Sequence, residues 1–188
     1  QSLSSRGLAL DLRALGGVLG VTDDSIEVEG GVTWEAVVRA SVPHGVMPPV
    51  LPLNLAISVG GLLSVGGVGS SAHHHGLVVA NVDALTLVTA DGEAVECNAT
   101  RNERLFAAAL GGLGRVGVIA RAKLRLVSAP TSIKTLHLGF STAGALLSAV
   151  ERLRRDACLH LEGFCWAGHR GVETRAEGRR PFTRWSYA

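Results

Sequence analysis

The spacing of apolar and polar positions changes several times along the chain, and each change predicts an element. Leu8 to Leu12 reads as a strand and Ser25 to Glu29 as another, because Ile26 and Val28 alternate with charged residues. The period then lengthens to that of a helix. Trp34, Val37 and Val38 share one face, Thr33 stands where an N-cap belongs, and Pro43 ends the run. Ala84 to Ala90 and Ala94 to Cys97 return to strand character on either side of Asp91-Gly92, a pair whose tolerance of positive φ predicts a hairpin. Thr100-Arg101-Asn102-Glu103 has the spacing of a capping box. The helix expected after it carries Leu105, Phe106, Ala109 and Leu110 on one side and stops at Gly111-Gly112. From Val118 to Val127, Ala120, Ala122, Leu124 and Leu126 alternate with Arg121, Lys123 and Arg125, which predicts a half-exposed strand with a solvated basic face.

Ser128-Ala129-Pro130 interrupts this pattern and predicts a boundary. Beyond it come a strand at Ile133 to Phe140, a helix at Ala143 to Asp156 and a strand at His160 to Trp166, while 168–188 has no clear period. The helix is expected to turn Leu146, Leu147, Val150 and Leu153 inward and Arg152, Arg154 and Arg155 outward. The fold class is therefore α+β. Residues 1–130 are expected to form one domain and 131–188 the beginning of another.

Composition narrows the function classes. The 188 residues are 47% hydrophobic and 18% charged with a net charge of +2, which predicts a soluble, core-forming chain and gives no ground for nucleic acid as a partner. Gly, Ser, Asn and His interrupt the longest apolar stretch, Val46 to Val68, so no membrane span is expected. Cys97, Cys158 and Cys165 are odd in number and widely spaced, the pattern of buried free thiols rather than of a disulfide framework or a zinc site. The chain opens at Gln1 without an initiator Met, and its sequence sets no compartment.

Gly is the outlying residue, with 24 copies that gather into clusters at 60–76 and 111–117, which together hold ten of them. Gly112-Leu-Gly114-Arg-Val-Gly117 matches G-x-G-x-x-G, yet a helix is predicted before it and a strand after it. No Asp or Glu lies between Glu103 and Glu151 to hold a ribose, so a nicotinamide site is rejected. The stretch from Ile57 to Ala72 alternates glycines with hydroxyls and small apolar residues, and reads as a loop that exposes its backbone. Its amides could reach a phosphate or a flat ring, and Ser58 and Ser64 could donate to anionic oxygens or ring carbonyls. The same residues also suit a tightly packed glycine turn against a sheet. His73-His74-His75 is expected in an extended loop, where adjacent rings diverge and no carboxylate or Cys lies close, so no metal site is assigned.

Taken together, Val59-Gly-Gly61, Ser64, Gly67, His75-Gly76, Asn81-Val82, Val88-Thr89, Asp91-Gly92, Leu105-Phe106, Leu110-Gly-Gly-Leu-Gly114, Gly117-Val-Ile119, Arg121-Ala122 and Ala129-Pro130 stand in a familiar order and spacing. The chain resembles the FAD-binding oxidoreductases of the p-cresol methylhydroxylase type, the cytokinin dehydrogenases in particular, from Gln1 to about Pro130. A weaker likeness at Leu161-Glu-Gly-Phe164 suggests the family's substrate domain. The resemblance implies FAD as cofactor, a small organic amine or alcohol as substrate, and a longer parent protein. It makes Gln1, Ser58, Gly60, Gly61, Ser64, Val68 and Val118 cofactor-binding residues, Val68 and Val118 through their backbone. It assigns no catalytic residue. Leu53 falls where cytokinin dehydrogenases carry the aspartate that accepts a proton from the substrate amine, so a different substrate is expected. An aldonolactone or sugar-alcohol oxidase and a non-catalytic scaffold on the same fold are the alternatives.

Overall fold

A computed structural model describes residues 9–156, 158–163 and 180–181. The chain divides into two compact units between Val127 and Ser128. In the first, strands β1 (Val18–Val21), β2 (Ser25–Glu29), β4 (Val82–Val88), β5 (Ala94–Asn98) and β6 (Val118–Arg125) form an antiparallel sheet in the order β1-β2-β6-β4-β5. The short strand β3 (Val46–Met47) lies outside it. Mixed α+β architecture with an antiparallel sheet is thus present.

One face of the sheet makes the core. Ile26 stands opposite Leu124, Val28 opposite Ala122, Leu85 opposite Cys97 and Leu87 opposite Ile119, and all are buried. Helices α1 (Trp34–Ser41) and α2 (Val59–Val65) contribute Trp34, Val37, Val59, Leu62 and Leu63 to the buried set. Thr33 caps α1 by accepting the Ala36 N–H at 3.3 Å, and Pro43 lies in the 3-10 turn Val42–His44 that follows. The regular alternation expected of β6 breaks at Ala120. A shift of register between Thr86 and Leu87 leaves Ala120 without a partner on β4, so Ile119 turns inward instead, while Arg121, Lys123 and Arg125 stay exposed. Arg125 is not merely solvated, since its guanidinium meets Asp83 at 3.0 Å.

Three local expectations need correction. Residues 9–12 form no strand, because Asp11 takes the Arg13 backbone N–H at 3.0 Å and turns the chain; Leu8 is outside the described residues, and the first strand is β1. The capping box does not form. Thr100 gives both its backbone N–H and its hydroxyl to Asn98 Oδ1, and Asn102, at φ 52°, becomes the N-cap of α4 (Glu103–Ala109). The predicted 57–72 loop is only partly a loop, since α2 occupies 59–65 and the short α3 (Ala72–His75) begins at its last residue, so the three histidines sit on a helical turn rather than in an extended loop. The β4–β5 hairpin does form around Asp91-Gly92. Its turn is closed by Thr89 N–H to Glu93 O and Gly92 N–H to Thr89 O, each at 3.0 Å, with Gly92 at φ 85°.

In the second unit, β8 (Ser132–Ile133) pairs antiparallel with β9 (Arg180–Pro181), and α5 (Ala143–Arg155) is capped by Thr142; a short strand β7 (Val127–Ser128) lies at the division between the units. The strand expected over 133–140 is reduced to its first residue, and 134–140 have no regular structure. On α5, Ala149 is buried and Leu146, Val150 and Leu153 are half-buried, but Leu147 is exposed because it lies outside the stripe those four define. Of the strand expected at 160–166, residues 160–163 are not extended into a sheet, and 164–166 lie outside the described residues. Among the described residues no helix is long and apolar enough to cross a membrane.

Candidate functional site

The amino end of α2 is fastened to the sheet. Ser58 is its N-cap, with Oγ accepting the Gly61 N–H at 3.3 Å. The Val59 N–H goes to Val32 O and the Gly60 N–H to Gly30 O, both at 2.8 Å, and the Leu62 N–H goes to Ser58 O at 3.0 Å. Gly30 in turn donates to Ala120 O at 2.7 Å, at the irregularity in β6. A Cβ at position 60 would stand 2.9 Å from Gly30 O and 3.0 Å from Ile119 O, so α2 can approach β6 this closely only through glycine. The 57–72 stretch therefore lies against Ile119 of the Gly117-Val-Ile119 segment.

The carboxyl end of α2 behaves differently. Its carbonyls at Leu63 and Ser64 accept from Gly111 and Leu113 at 2.8 Å, which brings the second glycine cluster alongside. Past the helix, Gly66 O and Gly67 O accept from Val79 and Val78. The amides of Gly67, Val68 and Gly69 make no hydrogen bond among the described residues. Beside them stand three large exposed apolar side chains, Val65, Val68 and Leu113, of which Val68 is 66% exposed. Unpaired donors next to an apolar surface can take a flat ring carrying acceptor or anionic groups. No Asp or Glu occurs between Glu35 and Asp83 to repel an anion there.

Each residue named from the sequence can be placed against this arrangement. The Gly60 amide is committed and its Cα packed, so the contact expected of it goes to protein backbone. Gly61 is exposed. Ser58 uses Oγ as an acceptor and keeps its proton to donate, whereas Ser64 donates to Gly60 O at 2.8 Å and keeps lone pairs to accept. Val118 is half-buried at the start of β6, and Gln1 lies outside the described residues. Gly112, Gly114 and Gly117 lie between α4 and β6, so no helix begins at them. Sequence reasoning missed Gly67 and Gly69 as bearers of unpaired amides; their place after a helix with no continuing partner strand was the available signal.

Leu53 is 53% exposed on the segment that passes this region. A Cβ at Gly69 would fall 2.0 Å from Leu51 O, which puts residues 51 and 69 in direct contact. Asn54 holds its own turn, with Oδ1 accepting the Ala56 N–H at 2.9 Å. Among the described residues no group of three or more His, Cys, Asp and Glu could hold a metal ion.

The FAD binding domain family matches residues 1–98. An uncharacterized oxidoreductase, ORF5 in the fasciation locus of Rhodococcoides fascians, is 41% identical over 147 residues, covering 78% of this chain and 34% of the relative. Cytokinin dehydrogenase 7 of Oryza sativa subsp. japonica is 36% identical over 159 residues (81% and 30%), and cytokinin dehydrogenase 4 of the same plant is 32% identical over 181 residues (92% and 34%). The chain spans about a third of the length of these relatives. With its resemblance to the cytokinin dehydrogenases carried through most of its length, the chain belongs to the FAD-binding oxidoreductases of the p-cresol methylhydroxylase type.

Proposed function

We propose that the full-length protein is an FAD-dependent oxidoreductase of cytokinin dehydrogenase type whose substrate is a small organic amine or alcohol other than a cytokinin-like amine. The observation that carries this reading is Leu53, half exposed two residues beyond the Leu51 carbonyl that meets Gly69. FAD, when bound, supplies the hydride acceptor for a C–N or C–O bond. The chain supplies orientation: the Ser58 proton as a donor, Ser64 as an acceptor, the exposed backbone of Gly61, the amide of Val68, and Val118 at the start of β6. By the family resemblance Gln1 completes the contacts, and Gly60 serves them through its packing on Ile119.

A leucine accepts no proton. Neighbouring Asn54 is no substitute, because a neutral amide is a poor base and its oxygen already receives the Ala56 N–H. A positioned general base contributes about 10²- to 10⁴-fold, and amine oxidation should be slower by that order. Steady-state assays of the full-length protein with isoprenoid adenines and a panel of alcohols test the reading. Turnover of the adenines at rates typical of cytokinin dehydrogenases refutes it. Leu53→Asp, at an exposed position that tolerates a carboxylate, is expected to raise amine turnover toward that ~10²-fold lower bound.

A further inference from the structure

Two buried polar side chains outside the proposed cofactor contacts hold the segment that follows α2. Ser71 is 4% exposed and donates its hydroxyl to Pro49 O at 2.7 Å. Asn81 is 8% exposed, and its side-chain amide donates to both His75 O and Leu77 O, each at 3.0 Å. Between these anchors, Val78 N–H to Gly67 O at 3.1 Å and Val79 N–H to Gly66 O at 3.2 Å tie the outgoing and returning chain together. Every one of these bonds uses a carbonyl of the 66–77 segment or fixes a residue within it. None uses the amides of Gly67, Val68 and Gly69.

We infer that Ser71 and Asn81 are positioning residues that hold the amides of residues 67–69 toward the flavin and keep that segment in register with the chain leading to Leu53. The inference rests on the FAD reading above. At position 81 two carbonyl oxygens converge on one NH₂ group, which only a primary amide of this length can serve. A carboxylate of the same shape sets acceptor against acceptor. At position 71 the hydroxyl satisfies the buried carbonyl of Pro49, four residues before Leu53. The contact of Gly69 with Leu51 O transmits any displacement of one segment to the other. Cofactor-side amides and the substrate-side position thus share a single set of anchors.

Hydrogen exchange at Val78 and Val79, whose amides tie down Gly67 and Gly66, and visible circular dichroism of the flavin, both on the full-length protein, test this. Asn81→Asp is expected to speed exchange of the Val78 and Val79 amides, which bond to Gly67 O and Gly66 O, by roughly 10- to 100-fold, the factor that follows from leaving buried carbonyls unpaired, while β4 and β6 keep their protection. Flavin occupancy falls and the visible dichroism changes. Ser71→Ala moves the same readouts in the same direction by less. Wild-type exchange at Val78 and Val79 and wild-type dichroism in flavin-loaded Asn81→Asp overturn the inference. If that variant does not fold, the same two unchanged readouts in Ser71→Ala overturn it. A full-length wild type that holds no flavin sinks instead the reading on which the inference rests.

Discussion

The two ends of α2 carry similar residues and do different work. At the amino end, the backbone amides are engaged: Val59 and Gly60 bond to the chain around Gly30 to Val32, and Gly61 and Leu62 bond back to Ser58, whose hydroxyl proton alone is left to donate. At the carboxyl end, Gly67, Val68 and Gly69 follow one another with no bond from any of their amides among the described residues. Glycine content alone does not distinguish these ends. Hydrogen-bond accounting does, because a short helix whose first N–H groups are satisfied internally has little left for an anion, whereas an irregular segment with unpaired donors retains its capacity.

If the amino end is a structural joint and the carboxyl exit a binding surface, substitutions should separate stability from flavin binding. The largest effect is expected of Gly69→Ala, whose new Cβ would stand 2.0 Å from Leu51 O. Main chain must move, and a loss above about 3 kcal/mol in chemical denaturation is the expected result, together with loss of flavin. Gly60→Ala meets Gly30 O at 2.9 Å and Ile119 O at 3.0 Å, a milder overlap. A loss of about 1–3 kcal/mol is expected, and flavin affinity should follow stability rather than fall on its own.

Smaller effects sharpen the contrast. Removing the cap with Ser58→Ala should lower stability by about 1 kcal/mol, seen as a shifted denaturation midpoint, and should weaken flavin binding only by the one hydroxyl donor it removes. Val68→Ala should leave stability within about 0.5 kcal/mol, since the side chain is exposed, yet weaken flavin binding in a titration of the apoprotein. The reverse outcome, a stable Ser58→Ala protein and an unstable Val68→Ala protein, would exchange the roles of the two ends.

Cys97 offers a control far from this contrast. Burial pushes its thiol pKa up, and Sγ lies 3.7 Å from Leu85 O inside the β4–β5 pair. The thiolate is the reactive form, so alkylation at neutral pH should be negligible in the folded protein and appear only on unfolding, as mass spectrometry of labelled protein can follow.

Much of the scaffold was legible in the sequence because its signals are local. Ile26 and Val28 alternating with charges, Thr33 before Trp34, and Asp91-Gly92 between two strands each carry their own physical cause. Long-range contacts were not legible in this way. The irregularity at Ala120 depends on pairing with β4; the capping box fails for a local reason, because Asn98 competes for the Thr100 and Arg101 amides two and three residues on. The region of the site was visible as a run of glycines and hydroxyls near Gly117-Val-Ile119. Which amides are spoken for was not, since Gly30 and Val32, the partners of α2, lie almost thirty residues upstream. The apparent strand at 133–140 carried the right alternation, but beyond Ile133 the described chain pairs it with nothing.

The visible absorption spectrum of the purified full-length protein tests the central claim most directly. A flavin spectrum, present on isolation or restored stoichiometrically by added FAD, is the result predicted here. A folded protein that stays colourless after exposure to FAD would contradict it.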